Sequence, residues 1–317
     1  MTNETTASPR TSIVVCTHNR STLLAEALDA IRAVEEPPGG VEIVVVDNRS
    51  SDDTRQVADE VAHRDDRIRV VTENELGLSA ARNRGIAECV GDFVIFVDDD
   101  AFPAPTWLVS LVAVLAEDNV FAAGGGIIPR FTSDPPAWLD ERFLPYLSAW
   151  DLGDEPLDLK YNEYPRGANI GFRRAAFERW GGFDIRLGRR GSSLRSCEEI
   201  EVCLRIERGG GRIRYVPNAT VEHLTDGSRI SDQWLSDRFG AQGRSEAIVD
   251  WMHAGFKGLR RGLTRMKRYA GTTSGHELLD RCQKRAYQAY RLRAALCPLT
   301  IPRRPRDPSQ APWLPFA

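Results

Sequence analysis

The first hundred residues alternate short apolar runs with segments of helical period, and this alternation restricts the fold more than any other feature of the chain. Residues 12 to 16 (Ser-Ile-Val-Val-Cys) and Val41 to Val46 are unbroken runs of the kind that strands show when both faces are buried. Between them Leu23, Leu24, Ala27, Leu28 and Ile31 recur at helical spacing. Ser21 or Thr22 is available as an N-cap, and Pro-Pro-Gly-Gly at 37 to 40 ends the element. The pattern continues with a helix over Asp53 to Ala62, a strand over Ile68 to Val71, a helix over Ser79 to Glu88 and a strand over Phe93 to Val97. Such alternation predicts a parallel sheet whose ligands sit at the carboxyl ends of the strands.

Residues 129 to 165 are rich in Pro, Trp, Tyr and Asp without a period, which predicts a long surface excursion of functional use. Order resumes at Gly167, with a strand over Ala168 to Arg173, a helix over Arg174 to Trp180, a loop rich in Gly, Arg and Ser, a helix over Glu199 to Arg208 and a strand over Arg212 to Val216. Residues 233 to 253 and 276 to 296 read as further helices. There is no internal repeat.

With 317 residues, 42% of them hydrophobic, the chain can bury a full core. Its apolar stretches, such as Asp92 to Val97, fall far short of the roughly 20 residues that cross a bilayer, and Met1 to Arg10 lacks the apolar segment of a signal peptide. A cytoplasmic location is the expectation. The six cysteines form no C-x-x-C pair, so reduced thiols are expected rather than a zinc site or a disulfide framework. Charge is uneven: residues 1 to 229 carry 26 Lys+Arg against 38 Asp+Glu, a net of −12, and residues 230 to 317 carry 16 against 7, a net of +9. The two parts should face different partners, and the acidic first part argues against binding nucleic acid.

The strongest local signal is Asp98-Asp99-Asp100, directly after Phe93 to Val97. Crowded carboxylates at a strand end repel one another, and a bound Mg²⁺ or Mn²⁺ that also bridges diphosphate oxygens would neutralise them; the alternative is a solvated acidic turn. The second is Asp47, at the end of Glu42 to Val46. A carboxylate there can accept hydrogen bonds from a base or a ribose hydroxyl in the same crevice, although Asp and Ser also cap the helix that follows.

These segments carry a resemblance. Ile13 to Arg20, Val44 to Thr54, Gly77 to Gly85, Gly91 to Asp100, Gly167 to Phe172, Gly181 to Asp184 and Glu198 to Arg205 are similar, in order and spacing, to the landmarks of the family-2 inverting glycosyltransferases, over about residues 11 to 225. The resemblance implies an α/β fold of GT-A type, a Rossmann-like, mostly parallel sheet flanked by helices, with a helical C-terminal extension. The organisation expected is a flexible start (1–10), a catalytic domain (11–229, its nucleotide-binding half about 11–128 and its acceptor half about 166–229), a basic helical extension (230–300) and a Pro-rich tail (301–317).

By the same resemblance Thr17, Asn19, Arg20 and Asp47 grip the nucleoside, usually uridine. Arg82 reaches the base or phosphate, Asp98 the ribose or donor sugar, Asp99 is the variable middle member, and Asp100 ligates Mn²⁺ or Mg²⁺. His223 is a further metal ligand or phosphate partner. The family's base is an Asp in a Glu-Asp pair at a helix start; here the pair is Glu198-Glu199, so Glu199 is the expected base and Glu198 its competitor. A helix-start carboxylate is also favoured by the macrodipole alone.

Gly167 and Asn169 fall on the acceptor side of the cleft, glycine allowing close backbone approach. Trp180, Trp138 and Trp150 are candidate sugar platforms, at least two of them expected to pack instead. The loop from Arg186 to Ser193 is either a lid over the donor diphosphate or a solvated loop. In the basic part, Phe256, Leu259, Leu263 and Met266 lie opposite Lys257, Arg260, Arg261, Arg265, Lys267 and Arg268. This stretch, 255 to 270, either lies on an anionic membrane at its inner face, near a lipid-linked acceptor, or packs on the catalytic domain. The implied partners are a nucleotide-sugar donor and a saccharide, lipid-linked or small-molecule acceptor. A nucleotidyltransferase is the nearest rival, but Cys16 to Arg20 lacks its glycine-rich phosphate loop. A non-catalytic sugar-binding relative is the other.

Overall fold

The computed structural model describes residues 10–161, 163–271 and 276–301. The expected alternation is present as β1 (Thr11–Thr17), α1 (Leu24–Arg32), β2 (Val41–Asp47), α2 (Thr54–Ala62), β3 (Ile68–Thr72), α3 (Leu78–Glu88) and β4 (Phe93–Asp98). β1 pairs in parallel with β2 and β4, and β2 with β3. Every residue of β2 is buried, which is why these strands read as unbroken apolar runs. The expected N-cap of α1 is not formed by Ser21 or Thr22; Leu23 stands there without a side-chain cap.

After β4 the chain adds β5 (Ala101–Pro103), α4 (Trp107–Leu115), β6 (Val120–Gly124), β7 (Ile127–Phe131), β8 (Leu157–Asp158), β9 (Asn169–Arg173), α5 (Arg174–Trp180), α6 (Glu198–Arg208), β10 (Arg212–Tyr215) and β11 (Val221–Thr225). The large sheet has the order β3-β2-β1-β4-β9-β6-β10-β8, and β5-β11-β7 form a small one. Two pairings position the site. β9 runs antiparallel to β4 with Asn169 opposite Val97, so the chain enters β9 at the carboxyl end of β4. β11 pairs with β5, placing His223 opposite Ala101, and the amide of Leu224 donates to the carbonyl of Asp100 at 2.9 Å. The Pro- and Trp-rich excursion is not a free surface loop, because Phe143, Leu147, Trp150 and Tyr164 are buried.

The C-terminal part is a helical hairpin of α7 (Asp232–Gly271) and α8 (Glu277–Thr300). α7 is broken at Gly255, whose φ of +54° and ψ of −142° suit glycine and few other residues. The stripe read as a membrane face mostly turns inward, since Leu259 and Met266 are buried and only Phe256, 71% exposed, stands out. Lys257, Arg260, Arg261, Lys267 and Arg268 are exposed. A second apolar row, Leu292, Leu296 and Leu299, is exposed on α8. No helix of the described residues is long and apolar enough to cross a membrane, and the six cysteines are unpaired.

Candidate active site

The parallel register brings Thr17 beside Asp47 and Cys16 beside Asp98, so the carboxyl ends of β1, β2 and β4 open together. In front of them lies a cavity of about 1040 Å³ lined by Thr17, Arg20, Arg82, Asp98, Asp99, Asp100, Gly167, Glu198, Glu199 and His223. Residues from the carboxyl ends of β1 and β4, from the entry to β9, and from α6 and β11 therefore share one cleft.

Asp98, Asp100 and His223 place ligand atoms within 4.8 Å of one another. Nε2 of His223 is 3.2 Å from Asp100 Oδ1 and 3.9 Å from Asp98 Oδ2. Arg229 donates to the other oxygen of Asp100 at 2.7 Å, with Arg20 at 3.4 Å. Burial opposes the charge on Asp100, but the His223 hydrogen bond and these two guanidiniums outweigh it and hold its pKa below the usual carboxylate range. Burial and then Asp100 push Asp99 up to about 7. Two carboxylates and an imidazole are a donor set that fits Mn²⁺ and, less closely, Mg²⁺.

Arg82 is 2% exposed and bridges two sides of the cleft. It donates to Glu198 Oε1 at 2.8 Å, to the Gly167 carbonyl at 3.0 Å and to Asp98 Oδ1 at 3.4 Å. Burial would lower its pKa, and Glu198 and Asp98 raise it above the usual value. A Cβ at position 167 would overlap the Arg82 guanidinium, so the backbone approach that this glycine permits is to Arg82. Glu198 is pushed up to about 7 by burial and then by Glu199, against the pull of Arg82. Glu199 is also buried, and its Oε2, like that of Glu198, has no hydrogen-bond partner among the described residues; it differs in making no ion pair with Arg82.

Several expected residues lie elsewhere. Asn169 is fully buried, accepts from Trp107 Nε1 at 2.8 Å and donates to the carbonyls of Gly126 and Ala219. It ties β9 to its neighbours and does not line the cleft. Trp180 packs edge-on against Phe121 at 4.7 Å, Trp150 against Tyr215 and Trp138 against Phe143, so none of the three is a platform in the cavity. Asp47 accepts from the Ser50 amide at 3.1 Å and Asn19 from the Ser51 amide at 2.7 Å. Both sit at the expected strand ends without lining the cavity. The loop of residues 186 to 193 is docked on the start of α3, through Leu78 N to Arg189 O at 2.8 Å and Ser79 Oγ to Leu187 O at 2.9 Å.

The cavity is also lined by residues the sequence did not single out, His18, Asn48, Arg229, Trp234 and Arg238, and by Arg189 of the loop read as a lid or a solvated loop. His18 and Asn48 adjoin recognised landmarks. Arg229 and Arg238 follow the last landmark and carry no local signal.

The model of the family described as glycosyl transferase family 2 matches residues 12–181. The chain belongs to glycosyl transferase family 2. This transferase moves a sugar from a nucleotide sugar and has the GT-A fold that its motifs implied. It is 30% identical over 249 residues to the glucosyl-dolichyl phosphate glucuronosyltransferase of Haloferax volcanii, 77% of this chain and 78% of that protein. It is 29% identical over 216 residues to the pre-mycofactocin glycosyltransferase of Mycobacterium tuberculosis, 67% of this chain but 42% of that protein. Among solved structures it resembles the mannosyltransferase PcManGT of Pyrobaculum calidifontis in complex with GDP-Man and Mn²⁺, with a TM-score of 0.59 and 21% identity over 93% of this chain and 88% of that one. It also resembles GalNAc-T7 with UDP, GalNAc and Mn²⁺, with a TM-score of 0.58 and 16% identity over 92% of this chain and 58% of that one.

Proposed function

We propose that the chain is a metal-dependent, inverting transferase that uses a nucleoside-diphosphate sugar, UDP-linked above all, and delivers the sugar to an acceptor hydroxyl activated by Glu199. The observation that carries this reading is the unpartnered Glu199 carboxylate in the same cavity as Asp98, Asp100 and His223. In-line attack from the face opposite the leaving diphosphate needs a base on the acceptor side. Glu198 is ion-paired with Arg82 through Oε1, whereas Glu199 makes no ion pair with any described residue, which makes Glu199 the group to take the proton. Asp98, Asp100 and His223 would hold the divalent cation, which when bound neutralises diphosphate charge. Thr17 and Arg20 in the cavity, with Asp47 at the adjoining strand end, would receive the nucleoside. Arg82, engaged by Glu198 and Asp98, acts here by fixing the distance between donor and base sides.

For the acceptor, the Haloferax relative is named for a glucosyl-dolichyl phosphate. That name supports a lipid-linked acceptor, with the chain peripheral at a membrane through the basic face of Lys257, Arg260 and Arg261 beside exposed Phe256. The test is nucleoside diphosphate release from a panel of nucleotide sugars with Mn²⁺ or Mg²⁺, and NMR of the product's anomeric centre. A product with retained configuration overturns the inverting mechanism, and diphosphate release from nucleoside triphosphates would favour nucleotidyl transfer.

A further inference from the structure

The cavity holds more arginine than its carboxylates engage. Arg20 pairs with Asp99 and Asp100, Arg82 with Asp98 and Glu198, Arg229 with Asp100, and Arg265 with Glu246 and Asp250. Four others line the same space without an ion pair: Arg195, which is exposed, Arg166, whose buried Nε–H has no partner among the described residues, Arg189 and Arg238. Arg189, in the loop before α6, makes no side-chain hydrogen bond or ion pair with any described residue. Arg238, on α7, donates only to neutral oxygens, Ser196 Oγ at 3.3 Å and Gln242 Oε1 at 3.0 Å, and its Nε–H is buried without a partner.

These two guanidiniums repel each other. Burial first, and then Arg238 and Arg229, pull Arg189 down to about 9. Burial likewise lowers Arg238. A desolvated cation with no acid paired to it is unfavourable, and a bound oxyanion would satisfy both forks with charge-assisted hydrogen bonds. The titratable neighbours of Arg238 are Cys197, Tyr146, Glu199 and Glu198, on the side of the proposed base, and those of Arg189 include Glu198, Asp98 and Arg229, whereas Arg20 and Arg229 donate to Asp100. The cavity is also lined by Phe239, Val249, Met266 and Ala286 of the hairpin, apolar surface suited to an aglycone. α7 lies beyond the residues matched by the family model.

We propose that Arg189 and Arg238 form a phosphate-binding site for the acceptor, distinct from the donor's diphosphate site and adjacent to Glu199. The proposal rests on the transferase reading. It makes the acceptor a glycosyl or lipid phosphate ester, with the accepting hydroxyl held near the base.

The test uses the full chain saturated with UDP and Mg²⁺, titrated with glucose 1-phosphate and, as a neutral counterpart, methyl glucoside. Glucose 1-phosphate should bind, methyl glucoside should bind about tenfold more weakly or less, and Arg189→Gln and Arg238→Gln should each weaken glucose 1-phosphate by about tenfold while UDP affinity stays within about twofold. The thermal midpoint of each ligand-free variant should hold or rise, because an unpaired cation has been removed. Three outcomes overturn the site: no binding of glucose 1-phosphate to the UDP-saturated protein, an equal loss of UDP affinity, which would assign the arginines to the donor, or unchanged glucose 1-phosphate affinity in folded variants. Farnesyl phosphate in detergent distinguishes the source, binding more tightly than glucose 1-phosphate if the phosphate is lipid-borne and no more tightly if it is soluble. A wild type that binds glucose 1-phosphate but not UDP keeps this site and overturns the transferase reading instead.

Discussion

Arg82 Nη1 donates to Glu198 Oε1 at 2.8 Å with both side chains buried, joining α3 to the start of α6. Three carboxylates, Glu198, Asp98 and Glu199, surround this one cation. Arg82→Met should therefore cost about 3 kcal/mol or more of stability, because the acids are left without compensation. Glu198→Gln added to Arg82→Met should recover part of that loss in a double-mutant cycle read by denaturant unfolding. Additive losses would show that the pair does not couple the two elements.

The same crowding predicts a pH dependence of unusual sign. Glu198 is raised from 4.5 to about 7 in the fold. Between those values the folded chain keeps a proton that the unfolded chain releases, so the contribution of this group to stability is full below about pH 4.5 and is lost as pH rises through 7. Thermal unfolding of the wild type across pH 4.5 to 8 should show that decline, and Glu198→Gln should flatten it. Parallel profiles for the two proteins would refute the assignment.

Glu199→Gln separates chemistry from binding. Losing a general base should lower kcat by about a hundredfold or more, with UDP–Mn²⁺ affinity retained, since Glu199 makes no bond to the residues around Asp100. Glu198→Gln should leave substantially more activity. The reverse ranking would make Glu198 the base.

Residues that act close to where they lie in the chain were legible in the sequence, and residues whose partners come from afar were not. Asp47 and Asp98 each end an apolar run, and the parallel register alone brings those ends together. His223 was legible as a member of an ordered pattern, and β11 pairing with β5 then sets it beside Asp100. Asn169 and Trp180 failed as cleft residues because their environments come from α4, β6 and the Gly126 and Ala219 carbonyls, which no local pattern announces. Arg238 was hidden for the same reason: it lies on a helix that reads as ordinary amphipathic sequence until α7 is seen to wall the cavity.

Metal binding should follow the Asp98, Asp100 and His223 cluster. Asp100→Asn should abolish the thermal stabilisation that Mn²⁺ gives in the presence of UDP. His223→Ala should weaken the response to Mn²⁺ more than to Mg²⁺, because imidazole favours the softer ion. Equal losses for both ions would leave His223 as a phosphate or structural partner.

The last prediction concerns the hairpin. Leu259 and Met266 are buried, so a membrane contact must use what remains outside: Phe256, the basic residues Lys257, Arg260 and Arg261, and the row Leu292, Leu296 and Leu299. An apolar residue set among cations binds anionic bilayers by partial insertion and by attraction that salt screens. The full chain should cosediment with vesicles containing phosphatidylglycerol at low ionic strength, less so at 0.5 M salt by about the factor expected when several charges are screened. Phe256→Ser with Lys257→Glu and Arg260→Glu should reduce that binding about tenfold or more, with UDP binding intact because none of the three lines the cavity. Equal sedimentation of wild type and variant would place any lipid-linked acceptor in the hands of the cavity alone.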